Sequence, residues 1–149
     1  MQSHNPGPLT VYQQQYTLMR QAGISKPNPR KQLLLDLQQL IYTHRLEGYY
    51  PILMIDANGD YRDTTRPDKE LSNFLESTNL VDPFADKFDL HPRTNIHGTK
   101  RIDYIFMDSR CTSAIMRVGY LGTHEGAYSD HCLAYMDVDE EKIFHGVLN

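Results

Sequence analysis

The stretch PILMIDANGD, residues 51–60, begins as an apolar strand and ends in polar residues. Alternation along an extended chain would place the side chains of Asp56 and Asn58 on the same face. The pair Asn58–Gly59 is also a common signal for a tight turn. By itself the stretch leaves two interpretations open: a turn that closes the strand, or part of a functional site.

Amphipathic segments lie before this strand. Residues 9–23 and 30–48 have helical apolar spacing, and Gly23 and Gly48 are expected to end the two helices. The apolar stripe of the second helix consists of Leu33, Leu34, Leu37, Leu40 and Ile41. The strand is therefore expected to pack against helices.

A third helix and further strands follow it. Asp68 is expected to cap a helix over residues 69–79, with an apolar face of Leu71, Phe74 and Leu75. Residues 80–100 are predicted to be irregular, and the strand candidates after them are residues 101–107, 114–122 and 132–139. This order predicts an α/β (α+β) fold with one mixed, mostly antiparallel sheet backed by helices.

Composition sets the general class of the protein. The chain has 149 residues, of which 40% are hydrophobic and 23% are charged, and it has no apolar window near the ~18 residues of a membrane span. Its two cysteines indicate no disulfide framework, so we expect an intracellular protein, cytoplasmic or nuclear. Residues 1–8 are expected to form a flexible tail, and residues 9–149 the domain.

The net charge of −4 argues against binding nucleic acid through a broad basic surface. It leaves phosphoester substrates open, because a metal ion can supply the local positive field.

Two further polar insertions stand at strand boundaries. Asp103 interrupts an apolar strand, where an ion pair with Arg101 or Lys100 would be a structural explanation. The triplet Ser129–Asp130–His131 immediately precedes the last strand, where such residues are also common in ordinary loops. Each insertion alone fits either a structural or a functional interpretation.

In this order, the segments IDAN, RIDYIF and SDH resemble the last three motifs of the endonuclease/exonuclease/phosphatase superfamily, which includes pancreatic DNase and apurinic endonucleases. Thr94 also falls where many members carry a threonine. The two upstream helices resemble those of retroelement-associated members. The resemblance extends over residues 9 to 145.

The resemblance implies a four-layer α/β/β/α sandwich, of which this chain matches only the C-terminal half. Ile55 and Ala57 replace the usual Gly and Phe, and both should point away from Asp56, so they affect packing more than chemistry. The family's metal-binding glutamate comes from the N-terminal half, and Glu47 does not match it. A homodimer or a separate N-terminal half is therefore the implied protein partner.

The resemblance also implies roles for individual residues. Asp56 would orient or deprotonate the attacking water, and Asn58 would position that water or the phosphate. Asp103 would hydrogen-bond His131, which would contact the scissile phosphate. Asp130 would be a ligand for Mg²⁺ or Mn²⁺.

The implied activity is Mg²⁺-dependent phosphodiester hydrolysis, with the chain acting as a DNA endonuclease or as part of one. Arg62, Arg66 and Lys100 would hold substrate phosphates. Two alternatives stay open at this point. The chain could be a non-catalytic fragment that needs a partner, or a phosphatase acting on lipid or small-molecule phosphates.

Overall fold

The computed structural model describes residues 10–125 and 128–144, so the predicted tail at residues 1–8 lies outside the described residues. The elements in chain order are α1 Val11–Gln21, α2 Pro29–Leu46, β1 Ile52–Asp56, α3 Lys69–Thr78, β2 Leu80–Val81, α4 Pro83–Asp86, β3 Asp103–Asp108, a 3₁₀ turn Ser109–Ala114, β4 Ile115–Leu121, β5 Leu133–Val138 and α5 Glu140–Phe144. The predicted helices and strands are all present. The segment predicted to be irregular contains β2 and α4.

Side-chain caps explain where the helices begin. The Asn28 side chain accepts a hydrogen bond from the backbone N–H of Lys31 (3.0 Å), and Pro29 occupies the first turn of α2. At α3 the predicted cap is present, because Asp68 Oδ1 accepts from the N–H of Leu71 at 3.0 Å.

The central strand is β3, which pairs antiparallel with β1 on one side and with β2 on the other. Its residues Tyr104 to Met107 are all buried. Because side chains alternate along a strand, a continuous buried run of this kind requires cover on both faces of the sheet.

Each face of β3 contributes to a separate hydrophobic cluster. Tyr104 and Phe106 pack with residues of α2 and α3, and the buried members from these helices are Leu34, Ile41, Leu71, Phe74 and Leu75. Ile105 and Met107 pack on the opposite side with Phe84 and with residues of β4 and β5, which include Ile115, Val118, Ala134 and Met136. Helices therefore cover one face of the three-stranded sheet, and the β4–β5 pair covers the other.

The prediction of one mixed sheet was wrong, because the described strands form two antiparallel sheets. β4 and β5 pair with each other and lie over β3. The apolar residues on the second face of β3 explain this arrangement, since they need another layer above them.

The apolar stripe predicted for α2 is only partly buried. Leu34 and Ile41 are buried and Leu37 is half-buried, whereas Leu33 and Leu40 are each 51% exposed. The neighbouring α1 contacts α2 but buries none of its own side chains, so it leaves this side of α2 open. None of the helices among the described residues is long and apolar enough to cross a membrane.

Candidate functional site

Two aspartates face each other where β1 ends and β3 begins. The strand register pairs Asp56 with Asp103, two positions beyond the pair Met54–Ile105. Residues directly opposite in an antiparallel pair share a face, so both carboxylates lie on the face that β4 and β5 cover at Ile105. Like charges at this spacing repel each other, which makes the pair unfavourable unless cationic groups are close by.

The loop before β5 brings His131 to the same place. Asn95 and His131 form an isolated antiparallel bridge, the N–H of Ile96 donates to the carbonyl of Asp130 (2.9 Å), and the N–H of Cys132 donates to the carbonyl of Thr94 (2.8 Å). These backbone bonds fasten the Ser-Asp-His loop to the segment that leads into β3.

Thr94 connects the two parts of the site. Its side chain is fully buried, and Oγ1 accepts the backbone N–H groups of Ile102 (2.9 Å) and Asp103 (3.1 Å). One residue thus holds the start of β3 with its hydroxyl and the loop carrying His131 with its carbonyl.

The predicted contact between Asp103 and His131 is present, with 2.9 Å between Asp103 Oδ2 and His131 Nδ1. Because a carboxylate only accepts hydrogen bonds, we assign the proton to Nδ1, which leaves Nε2 available to another group. This hydrogen bond raises the pKa of His131, and the charges of Asp103, Asp56 and Asp130 act in the same direction.

The structural explanation for Asp103, an ion pair with Arg101 or Lys100, is wrong. Arg101 pairs with the buried Asp82, and Lys100 pairs with Asp63 in the loop after β1. The Asp103 carboxylate is instead hydrogen-bonded to His131.

Asp56, Asp103 and His131 form a cluster whose potential ligand atoms all lie within 4.8 Å of one another. Carboxylate oxygens are the donors that Mg²⁺ and Mn²⁺ prefer, and two facing carboxylates are well placed for a divalent cation, so the residues fit such an ion. Each carboxylate already accepts one hydrogen bond, Asp103 Oδ2 from His131 and Asp56 Oδ1 from the N–H of Asn58, so each keeps its second oxygen for an ion. The exposed Asp130 is outside this cluster, although its charge affects His131.

The turn at Asn58 forms directly after Asp56, a residue of the candidate site. β1 ends at Asp56, and the backbone N–H of Asn58 donates to Asp56 Oδ1 at 3.0 Å while Asn58 adopts a positive φ of 49°. The expectation that alternation extends as far as Asn58 was therefore wrong, because this Asx turn ends the extended chain. Ile55 and Ala57 pack with the hydrophobic cluster that α2 and α3 form against β3, so they point away from Asp56 as predicted.

Two of the three predicted substrate-binding cations pair with carboxylates. Arg62 pairs with Asp86, and Lys100 pairs with Asp63. The backbone N–H of Arg66 donates to Asp63 Oδ1 at 3.1 Å, and the hydrogen bond from Lys100 holds the pKa of Asp63 well below its usual range. The Lys100–Asp63 pair fastens the loop after β1 to the segment before β3, and the Arg62–Asp86 pair links that loop to α4, so two of the three cations are neutralised.

Sequence reasoning missed Asp82 and Tyr120. Asp82 accepts hydrogen bonds from Arg101 at 2.6 and 2.8 Å, and the hydroxyl of Tyr120 donates to the backbone carbonyl of Asp103 at 3.1 Å. The only signal for Asp82 was Asp-Pro at a helix start, which predicts a cap, and Tyr120 lies in a strand of ordinary composition.

Replacing Asp103 with Asn should lower the pKa of His131 toward its unperturbed value, about 6.5. In the wild type, a raised folded-state pKa stabilises the chain below about pH 6.5, and this contribution disappears as pH rises through the raised value. NMR titration of the His131 ring protons measures the pKa change. Urea unfolding below about pH 6.5 and above the raised His131 pKa measures the change in stability. An unchanged His131 pKa in the variant would contradict the assignment.

Neither the family models nor the curated proteins with which the chain was compared give a match. The inference of function therefore depends on the geometry of the site and on the motifs.

Proposed function

We propose that this chain carries a Mg²⁺-dependent phosphodiesterase site that cleaves DNA. The observation that supports the proposal best is the convergence of Asp56, Asp103 and His131 from three separate segments, with Asp103 hydrogen-bonded to His131. The three motifs that resemble the endonuclease/exonuclease/phosphatase superfamily contain these same residues.

The roles of the side chains follow from their chemistry. Asp56 accepts a proton from the attacking water or orients it, as a carboxylate within hydrogen-bond reach of that water can do. Asp103 holds His131 in one tautomer and favours its charged form, so that the imidazolium faces the negative charge of the phosphate.

A divalent cation complements these residues. The facing carboxylates of Asp56 and Asp103 would hold Mg²⁺ or Mn²⁺, whereas Asp130, the ligand implied by the resemblance, lies outside this cluster. Such an ion would neutralise charge on the phosphoryl oxygens. This contribution matters here because Arg62 and Lys100 are already paired with carboxylates.

Plasmid cleavage tests the proposal. Purified chain with Mg²⁺ or Mn²⁺ should convert supercoiled plasmid to the nicked form, and both EDTA and the His131→Ala variant should abolish the conversion. Parallel assays with a chromogenic phosphodiester and a phosphomonoester distinguish a nuclease from a phosphatase. Hydrolysis of the monoester alone would favour a phosphatase, and plasmid cleavage that persists in His131→Ala would overturn the proposed site.

A second candidate function, an interaction module that pairs with another chain, is supported by one surface. Ile52 is 45% exposed and Met54 is 73% exposed, although their cross-strand neighbours Met107 and Ile105 are buried under β4 and β5. The face of β1 that leads to Asp56 is therefore apolar and uncovered within the described residues. A second copy of the chain, or a separate N-terminal half, would bury it.

Replacing Met54 with Lys should disrupt this association without unfolding the chain, since Met54 makes little contact in the isolated protein. Size-exclusion chromatography with light scattering should show a dimer for the wild type and a monomer for Met54→Lys. Leu46→Lys is the control, because Leu46 is 91% exposed at the end of α2. A wild-type monomer would contradict the interaction function.

A further inference from the structure

The main chain of Asp103 is held by side chains on both sides. Its N–H donates to Thr94 Oγ1 at 3.1 Å, and its carbonyl accepts from the hydroxyl of Tyr120, also at 3.1 Å. Asp103 is the first residue of β3, and strand ends are where a ladder normally frays. These two contacts therefore restrain the residue that binds His131.

A buried arginine fixes the Tyr120 hydroxyl. Arg101 Nε donates to this oxygen at 2.7 Å, so the hydroxyl proton is left for the carbonyl of Asp103. The guanidinium lies 4.5 Å from the ring centroid of Tyr104 and 5.2 Å from that of Phe84. Stacking and hydrogen bonding together restrict the orientation of the Arg101 guanidinium.

Asp82 completes the network. Arg101 Nη1 and Nη2 donate to its two carboxylate oxygens at 2.6 and 2.8 Å, and the side chains of Arg101 and Asp82 are only 3% and 0% exposed. Replacing a buried ion pair with apolar residues of similar volume is often neutral for stability or even stabilising. Stability alone therefore gives little reason for an ion pair at this position.

We propose that Asp82, Arg101 and Tyr120 are positioning residues that align the Asp103 carboxylate with His131 for cleavage. This inference rests on the proposed phosphodiesterase function. The contacts run in series from Asp82 through Arg101 and Tyr120 to the Asp103 carbonyl, and the Asp103 carboxylate then binds His131 at 2.9 Å. A misplacement of about 1 Å in such a pair can cost a hundredfold in rate.

Two tyrosines offer a matched comparison. Tyr120→Phe removes a hydroxyl that contacts both Arg101 and Asp103. Tyr61→Phe removes a hydroxyl that donates to the same Asp82, at 2.9 Å, and forms no hydrogen bond with Asp103 within the part of the chain that the structure describes. Both variants lose one hydroxyl from the network, so a purely structural role predicts similar effects for the two.

The first measurement needs no catalysis. In metal-free protein at fixed pH, the Nδ1 proton of His131 should give a downfield NMR resonance that marks its hydrogen bond to Asp103. We expect this resonance to shift upfield or broaden in Tyr120→Phe and to remain in Tyr61→Phe. Equal resonances in the two variants would overturn the positioning role, whether or not the chain cleaves DNA.

The second measurement uses cleavage kinetics. Tyr120→Phe should lower kcat about tenfold or more and leave KM within about twofold, because alignment acts in the transition state. If Tyr120→Phe fails to fold, the double variant Asp82→Leu/Arg101→Met replaces the ion pair with apolar side chains and should fold. Wild-type kcat and an unchanged Nδ1 resonance in that double variant would also overturn the inference.

Discussion

Asp56→Asn should abolish metal-dependent cleavage and at the same time make the folded chain more stable. Loss of a carboxylate that activates water typically costs about 10²–10⁴-fold in rate. At a pH where His131 is uncharged, the same substitution removes the like-charge contact between Asp56 and Asp103, which should add about 0.5 kcal/mol to the free energy of unfolding. The amide oxygen can still accept from the N–H of Asn58, so the turn should persist.

Plasmid cleavage and urea unfolding measure the two effects, and Asp139→Asn is the control. Asp139 caps α5, so its substitution removes one negative charge without touching the site. We expect Asp139→Asn to retain cleavage. A destabilised Asp56→Asn would show that the two carboxylates do not oppose each other, and retained cleavage would remove Asp56 from the site.

Asp82→Asn should cause the largest loss of stability among single substitutions near the site. It leaves the Arg101 guanidinium buried at 3% exposure without its counter-charge. Removing one partner of such a pair typically costs about 3–5 kcal/mol. A chain of this size would then melt about 10 °C lower.

The matched control for this prediction is Asp86→Asn. Asp86 pairs with Arg62 at the surface, where the two side chains are 46% and 41% exposed, so its loss should cost less than about 1 kcal/mol. Thermal and urea unfolding of both variants make the comparison. Equal losses would mean that the Arg101–Asp82 pair contributes no more than a surface ion pair.

Local patterns predicted most of the elements correctly, for reasons visible in the structure. The cap at Asp68 and the apolar face of α3 depend only on residues near one another in the chain, and both are present. The Asp103–His131 hydrogen bond was also predicted, but from the resemblance of the motifs and not from spacing.

The sequence could not show which distant carboxylate each basic side chain would pair with. Arg101 lies two residues before Asp103 yet pairs with Asp82, because its guanidinium is buried against Phe84, Tyr104 and Tyr120 and donates there to the buried Asp82 carboxylate. A charge pattern along the chain gives no information about such an orientation.

The division of the strands into two sheets could likewise not be predicted from the sequence. Three strand candidates at the C-terminal end fit one sheet as well as two. The choice depends on whether Ile105 and Met107 of β3 are covered by a second layer, and the alternation of apolar residues does not reveal this. Leu33 and Leu40 similarly follow a helical stripe but remain exposed, since α1 covers little of α2.

The most direct test of the account is a double-mutant cycle on Mg²⁺-dependent plasmid cleavage with Asp103→Asn, His131→Ala and the combined variant. If Asp103 acts through His131, each single substitution should lower the rate by about 10²–10⁴-fold and the double variant should lose no more. Rate losses that multiply in the double variant, or cleavage that survives in all three, would contradict the claim that these residues form one phosphodiester-cleaving site.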